Sequence, residues 1–260
     1  MTAKTILLAG ESWTSTATHI KGWDQFPSVT HHRGADPFMA ALADSGFAFD
    51  YMPCHVAAES FPSTPEALDR YDAIILSDIG ANTLLLPPEV WIHSRRSPNR
   101  LKLVRDYVAR GGGLVMVGGY LSFQGINGSA RYRGTAIEEA LPVSIHPYDD
   151  RIEMPEGAHP VANPGAGAHP VLRSLKGELP YVLGVNEVAA KPGADVLLSL
   201  PADQGGHPLL ATGTFGQGRS AAWTTDIGPH WLPNEFLAWS GFRPLWTDLL
   251  DWVCGGARAA

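Results

Sequence analysis

Four short apolar runs do most to limit what this chain can fold into: KTILLAG (4–10), FAFDYMP (47–53), YDAIILSD (71–78) and LVMVGG (114–119). Each has the length of a strand. The first and last are apolar throughout rather than alternating, the pattern of a strand covered on both faces. Helical stretches separate them. DPFMAALADSG (36–46) offers Asp36 as a cap, Pro37 in the first turn and Gly46 as a stop. LKLVRDYVARGGG (101–113) sets Leu101, Val104 and Val108 on one face before its glycines. Strands that alternate with helices imply a mostly parallel sheet with helices on both faces.

Right-handed crossovers then make the expected fold class α/β, a flavodoxin-like doubly wound sheet. After residue 140 the character changes. LPVSIHPYDDRIEMPEGAHPVANPGAGAHPVLRSL is dense in Pro and Gly and has no helical period. AHPV recurs at 158–161 and 168–171, too few copies for a repeat architecture. The stretch reads as a β-rich excursion, about 142–192, within a single domain spanning 1–260. ADVLLSL (194–200), a hairpin turning at FGQG within 208–226, and an amphipathic closing helix, PLWTDLLDWV (244–253), complete the chain.

Composition narrows the function. A formal charge of −7 without a Lys/Arg cluster argues against nucleic acid and anionic membranes, which need cationic neutralisation. No window approaches a membrane span, and the N-terminal apolar run is too short for a signal-peptide core. The two cysteines, Cys54 and Cys254, have no metal-ligand spacing, so a reduced cytoplasmic protein is expected. Trp246 and Trp252 on the closing helix suggest more aromatic surface than one helix buries, hence a homo-oligomer.

In an open α/β sheet the ligand crevice lies beyond the carboxyl ends of the strands. Those ends supply Glu11, Ser12 and Trp13, then Asp78, then Gly118, Gly119, Tyr120 and Ser122. Carboxylates, hydroxyls and an indole would meet at one mouth, suited to a small polar molecule and to acid/base work. The same residue types also cap helices, a purely structural role. THIKGWDQFPSVTHHRGAD (18–36) reads as a long loop over the crevice carrying His19, His31 and His32. Adjacent His31 and His32 would point apart, and no metal-binding spacing occurs, so neither a metal nor a cofactor is expected. TTDIGPHWLP (224–233) places Asp226, His230 and Trp231 past another strand, as a pocket base with an aromatic wall or as loop packing.

The order of elements, GGGLVMVGGYLSFQG (111–125), HPVLRSL (169–175) and GTFGQGRSAAWTTDIGPHW (213–231) together resemble the class I glutamine-amidotransferase-like superfamily. Within it, the chain is similar to the glutamine-amidotransferase-like group that neighbours the trehalose-utilisation (ThuA-like) proteins. Working members carry a Gly-x-Cys-x-Gly-x-Gln elbow and a late His-Pro-Glu. The resemblance places residues 118–124 at the elbow: Gln124 fits, Tyr120 stands where the cysteine would be, and Ser122 replaces a glycine. His169-Pro170 and His207-Pro208 are each followed by an apolar residue instead of glutamate.

Glutamine hydrolysis in that class runs through a thioester, for which a phenol of ordinary pKa near 10 is a poor nucleophile. Three functions follow as expectations. One is an enzyme using Glu11, Asp78 or His230 as base on a carbohydrate- or carboxylate-like metabolite, with Ser12, Trp13, His19, Gly119, Tyr120, Ser122, Gln124, Asp226 and Trp231 contributing to binding. Another is a non-catalytic ligand-binding or regulatory protein on the same fold. The third is a glutaminase with an atypical nucleophile, Ser122 or Cys54.

Overall fold

The computed structural model describes residues 3–256. The first half contains β1 (Lys4–Gly10), β2 (Ser12–Lys21), β3 (Asp24–Arg33), β4 (Phe47–Met52), β5 (Ala73–Ser77) and β6 (Gly113–Val117). The excursion supplies β7 (Val143–Ile145), β8 (Arg151–Ala158), β9 (Val161–Ala162), β10 (Val182–Asn186) and β11 (Val188–Ala190). Then come β12 (Asp195–Ser199), β13 (Pro208–Phe215) and β14 (Gly218–Trp223).

Eight of these form the central sheet in the order β4-β1-β5-β6-β14-β13-β12-β9. The first five are parallel and the last three extend the sheet antiparallel. Numbered among themselves, the parallel strands run 2-1-3-4-5, the flavodoxin-like order, whose switch point lies between β1 and β5. The four apolar runs are the four parallel strands expected of them. Helices Arg100–Ala109 and Phe242–Val253 lie on opposite faces. One core gathers Phe38, Trp223, Phe242 and Trp246; the other gathers Leu7, Ile74, Tyr107, Leu114 and Tyr132.

The excursion forms two small antiparallel pairs, β7 with β11 and β8 with β10, while β9 joins the edge of the main sheet. The FGQG hairpin turns as expected, with Gly216 at φ +60°.

Three sequence expectations need correction. The long loop containing His19, His31 and His32 is a regular hairpin, β2 paired with β3 over ten positions. Its strands are rich in Thr, Ser and His and bury almost nothing, so no apolar alternation announces them. Gly22 makes the turn at φ +66°, the first central position where a two-residue hairpin wants glycine. Second, Asp36 does not cap its helix; Ala35 holds the cap position and Asp36 pairs instead with Arg33 at 2.9 Å. Third, the C-terminal segment has no surplus aromatic surface. Trp246 is fully buried against Phe38 and Trp223, and Trp252 is half-buried beneath the Arg219 guanidinium. The exposed tryptophans are Trp13, Trp23 and Trp91, elsewhere in the chain. No helix among the described residues is long and apolar enough to cross a membrane.

Candidate active site

Four adjacent strand ends meet at the switch point. Glu11 follows β1 directly and Asp78 follows β5 directly, and both sit in the left-handed region, at φ 45° and 43°. Non-glycine residues adopt this conformation at a cost, and it survives where surrounding bonds impose it. At Glu11 the amide donates to the Ser77 carbonyl (2.6 Å), while its own carbonyl accepts from Gly34 N–H and the Tyr51 hydroxyl. At Asp78 the amide donates to Ser122 Oγ at 3.1 Å. Gly119, two residues past β6, has φ +135°, and Asp226 follows β14.

These ends line a cavity of about 450 Å³ bounded by Glu11, Trp13, Asp78, Tyr120, Leu121, Ile126, Asp226, Pro229 and His230. Its floor is acidic and its walls are largely apolar. No Lys or Arg is among these residues.

Electrostatics follow from the crowding. Glu11 is buried, and burial first, then the charges of Asp226 and Asp78, hold its carboxyl well above the ordinary range. Ser77 Oγ donates to Glu11 Oε2 at 2.5 Å and opposes this only in part. Asp78 is pushed up to about 6, chiefly by burial, although Leu121 N–H donates to its Oδ1 at 2.6 Å. Asp226 Oδ2 receives Trp231 N–H at 2.9 Å and lies 3.0 Å from His230 Nδ1. That contact raises the imidazole's pKa, so the dyad favours imidazolium. Carboxyl groups raised towards the working pH beside an imidazole are the raw material of acid/base catalysis.

Residues 118–124 form the turn that follows β6. Tyr120 sits there with its ring edge-on to His230 (4.5 Å) and under the Arg151 guanidinium (4.7 Å). Burial and the Glu153 charge raise its phenol, so phenolate is disfavoured. The amide after a nucleophile normally serves an oxyanion; here that amide, on Leu121, is taken by Asp78. Ser122 is buried, and its hydroxyl holds the Asp78 backbone instead of facing the cavity. Ser12 is similarly buried and accepts the Cys54 amide at 2.7 Å. Burial pushes the Cys54 thiol up, and it donates to the Asp78 carbonyl at 3.6 Å.

Of the residues singled out from sequence, Glu11, Trp13, Asp78, Tyr120, Asp226 and His230 come together on the cavity. Gly119 lies under it, and Trp231 is buried behind it, stacked on His230. Gln124 lies on the loop beyond, with its amide nitrogen reaching the Gly128 carbonyl. His19 is out on the hairpin, bonded to Ser28 and stacked on Phe26. His31 and His32 do point apart, towards His55 and Trp13 respectively. Among the described residues, no set of three or more His, Cys, Asp or Glu is arranged to hold a metal ion.

Sequence reading missed the support supplied by the excursion. Asn186, fully buried, accepts Gly119 N–H at 2.9 Å and donates to both the Gly119 carbonyl and Asp150. Asp150 also accepts the amides of Gln124 and Gly125. Glu153 receives the Trp231 indole at 2.8 Å. The only hint was polar residues inside otherwise strand-like runs, GVNEV and DDRIEM.

The chain matches the GATase1-like family, described as "Putative glutamine amidotransferase", over residues 5–255. A cytoplasmic protein of Salmonella typhimurium is 39% identical, with a TM-score of 0.89, over 95% of this chain and 98% of that one. A second cytoplasmic protein, from Salmonella typhimurium LT2, is 40% identical at TM-score 0.89 over 96% and 99%. A β-galactosidase from Rahnella sp. R3 matches 83% of this chain with 26% of its own, at 14% identity and TM-score 0.52, a likeness of fold alone. No curated protein matches.

Proposed function

The chain belongs to the GATase1-like family of glutamine-amidotransferase-like proteins, and on that footing we propose that it acts on a small, neutral, polyhydroxylated molecule by acid/base chemistry, without a covalent thioester. The observation that carries this reading is the convergence of Asp78, titrating near 6, with the Asp226–His230 pair on one cavity. At neutral pH Asp78 is mostly ionised and serves as base. His230, whose imidazolium the Asp226 contact favours, and Glu11, whose neutral form burial favours, are the candidate acids.

The lining supports a neutral substrate. An acidic floor without a lysine or arginine among its lining residues repels a carboxylate and offers acceptors to hydroxyl groups. Trp13 and Tyr120 add aromatic surface to the lining, suited to the apolar side of a sugar ring. This favours the carbohydrate-like alternative over the carboxylate-like one. The cytoplasmic description of the two Salmonella relatives supports a cytoplasmic setting.

The test begins with a thermal-shift screen of neutral sugars and polyols, sugar acids, and glutamine. Neutral polyols should raise Tm and sugar acids should not. Stabilising compounds are then incubated in D2O and followed by NMR for exchange or conversion. Asp78→Asn and His230→Gln should each slow that conversion at least about 100-fold. Stabilisation without conversion would mean a binding protein. Ammonia released from glutamine by pure protein would reject the proposal outright.

A further inference from the structure

Beyond its root, where Ser12 meets Cys54, His31 meets His55 and Arg33 lies over Tyr51, the β2–β3 hairpin is an arm paired with no other strand among the described residues. Every residue from Trp13 to Pro27 is exposed, and the two strands form a sheet of their own. Ten residues per strand give it a reach of about 30 Å. Ile20 is 73% exposed, Val29 68%, and Trp23 at the tip is wholly exposed. A lone two-stranded ribbon is marginal in water, yet this one keeps an unbroken register from Ser12–Arg33 to Lys21–Asp24.

Its two edges differ. The β3 edge carries Pro27 and the charges of Asp24 and Arg33, the devices that blunt an open edge. The β2 edge from Trp13 to Ile20 has neither proline nor charge. An unprotected edge invites another strand, and an antiparallel pairing of identical edges is self-complementary about a two-fold axis. Charge favours the same occupant. Lys21 and Arg33 against Asp24 make the arm formally +1 in a chain of −7, so two copies repel least through this element.

We propose that the arm joins two copies of this chain, β2 pairing antiparallel with β2 of the second copy to make one four-stranded sheet. The exposed part of β2, Trp13–Lys21, has Ala17 at its midpoint. Centring the axis there uses the whole open edge and puts a small side chain where two identical ones meet. Thr16 then faces the partner's Thr18, and Trp13 faces the partner's Lys21. Because Trp13 also walls the cavity, assembly brings the second copy to the site's rim.

Light scattering coupled to size exclusion at micromolar protein should show a dimer. Thr16→Lys with Thr18→Lys clusters four like charges across the axis and should weaken association at least about 100-fold. Thr16→Glu with Thr18→Glu should do the same, and mixing the two variants should restore a dimer. Both sites are exposed, so circular dichroism and Tm should be unchanged. Ala17→Cys should cross-link to itself under mild oxidation, since facing Cα atoms in such a ladder lie about 5 Å apart. Thr14→Cys should not. A monomeric natural protein, an assembly indifferent to the lysine pair, or cross-linking at Thr14→Cys in place of Ala17→Cys would overturn the proposal.

Discussion

Asp78→Asn is expected to make the protein more stable at pH 7.5 by about 2 kcal/mol, while removing the proposed base. In the folded chain this carboxyl titrates near 6 against an ordinary value of 3.8. The native state therefore holds its proton more tightly than the unfolded chain does. Below the unfolded value both states are protonated and the site costs nothing. As pH rises towards 6 the unfolded chain gains by ionising first, and the native state loses relative stability. Above 6 the whole difference is a penalty, reduced somewhat by the partial hydration of a half-buried group.

An asparagine keeps an oxygen to accept the Leu121 amide. It also tolerates φ 43° better than most residues. Urea unfolding of both proteins at pH 4.5 and 7.5 checks the sign. The variant's advantage should be about a third as large at the lower pH as at the higher, because the unfolded carboxyl is already largely ionised at pH 4.5. A variant that is less stable at pH 7.5, or whose advantage ignores pH, would show that the Asp78 carboxylate is not held under penalty. Stability given up for a charged group beside a cavity is what a working site shows more often than a relic.

Gly119→Ala should cost about 3–4 kcal/mol. Two effects add: φ +135° is a backbone state that side chains rarely adopt, and a Cβ there would lie 2.9 Å from Asp78 Oδ1 and 3.0 Å from Asp226 Oδ1. Neither carboxylate can retreat freely, since Leu121 N–H holds one and Trp231 N–H the other. Gly134→Ala separates the effects. Its φ is +71° and a Cβ there meets nothing within 4 Å, so only the backbone cost of about 1 kcal/mol remains. Equal losses in urea unfolding would mean that the carboxylates yield and the floor is softer than its hydrogen bonds imply.

Much of the frame could be read from the chain because burial on both faces leaves a plain mark. The runs at 4–10, 47–53, 71–78 and 114–119 are apolar for the reason that makes them inner strands, and the strand ends carried Glu11, Asp78 and Tyr120 to the crevice. What escaped had no such mark. The arm buries nothing, so selection left no alternation in its threonines and serines. Asn186 and Asp150 act across 25 or more positions of chain, through single side chains in a Pro/Gly-rich region. Ser12 and Ser122 looked like binding groups because a hydroxyl near a strand end reads the same whether it faces a ligand or its own backbone.

The grip of Asn186 on Gly119 has one more implication. With its amide group meeting both the N–H and the carbonyl of that residue, the side chain behaves like a neighbouring strand, and Asp150 extends the pairing to Gln124 and Gly125. One rim of the cavity is thereby cast as scaffold despite its irregular path, whereas the opposite rim ends in an arm that its own chain holds at the root alone. The lining on the Trp13 side can accordingly be exchanged without dismantling the network of bonds beneath Tyr120.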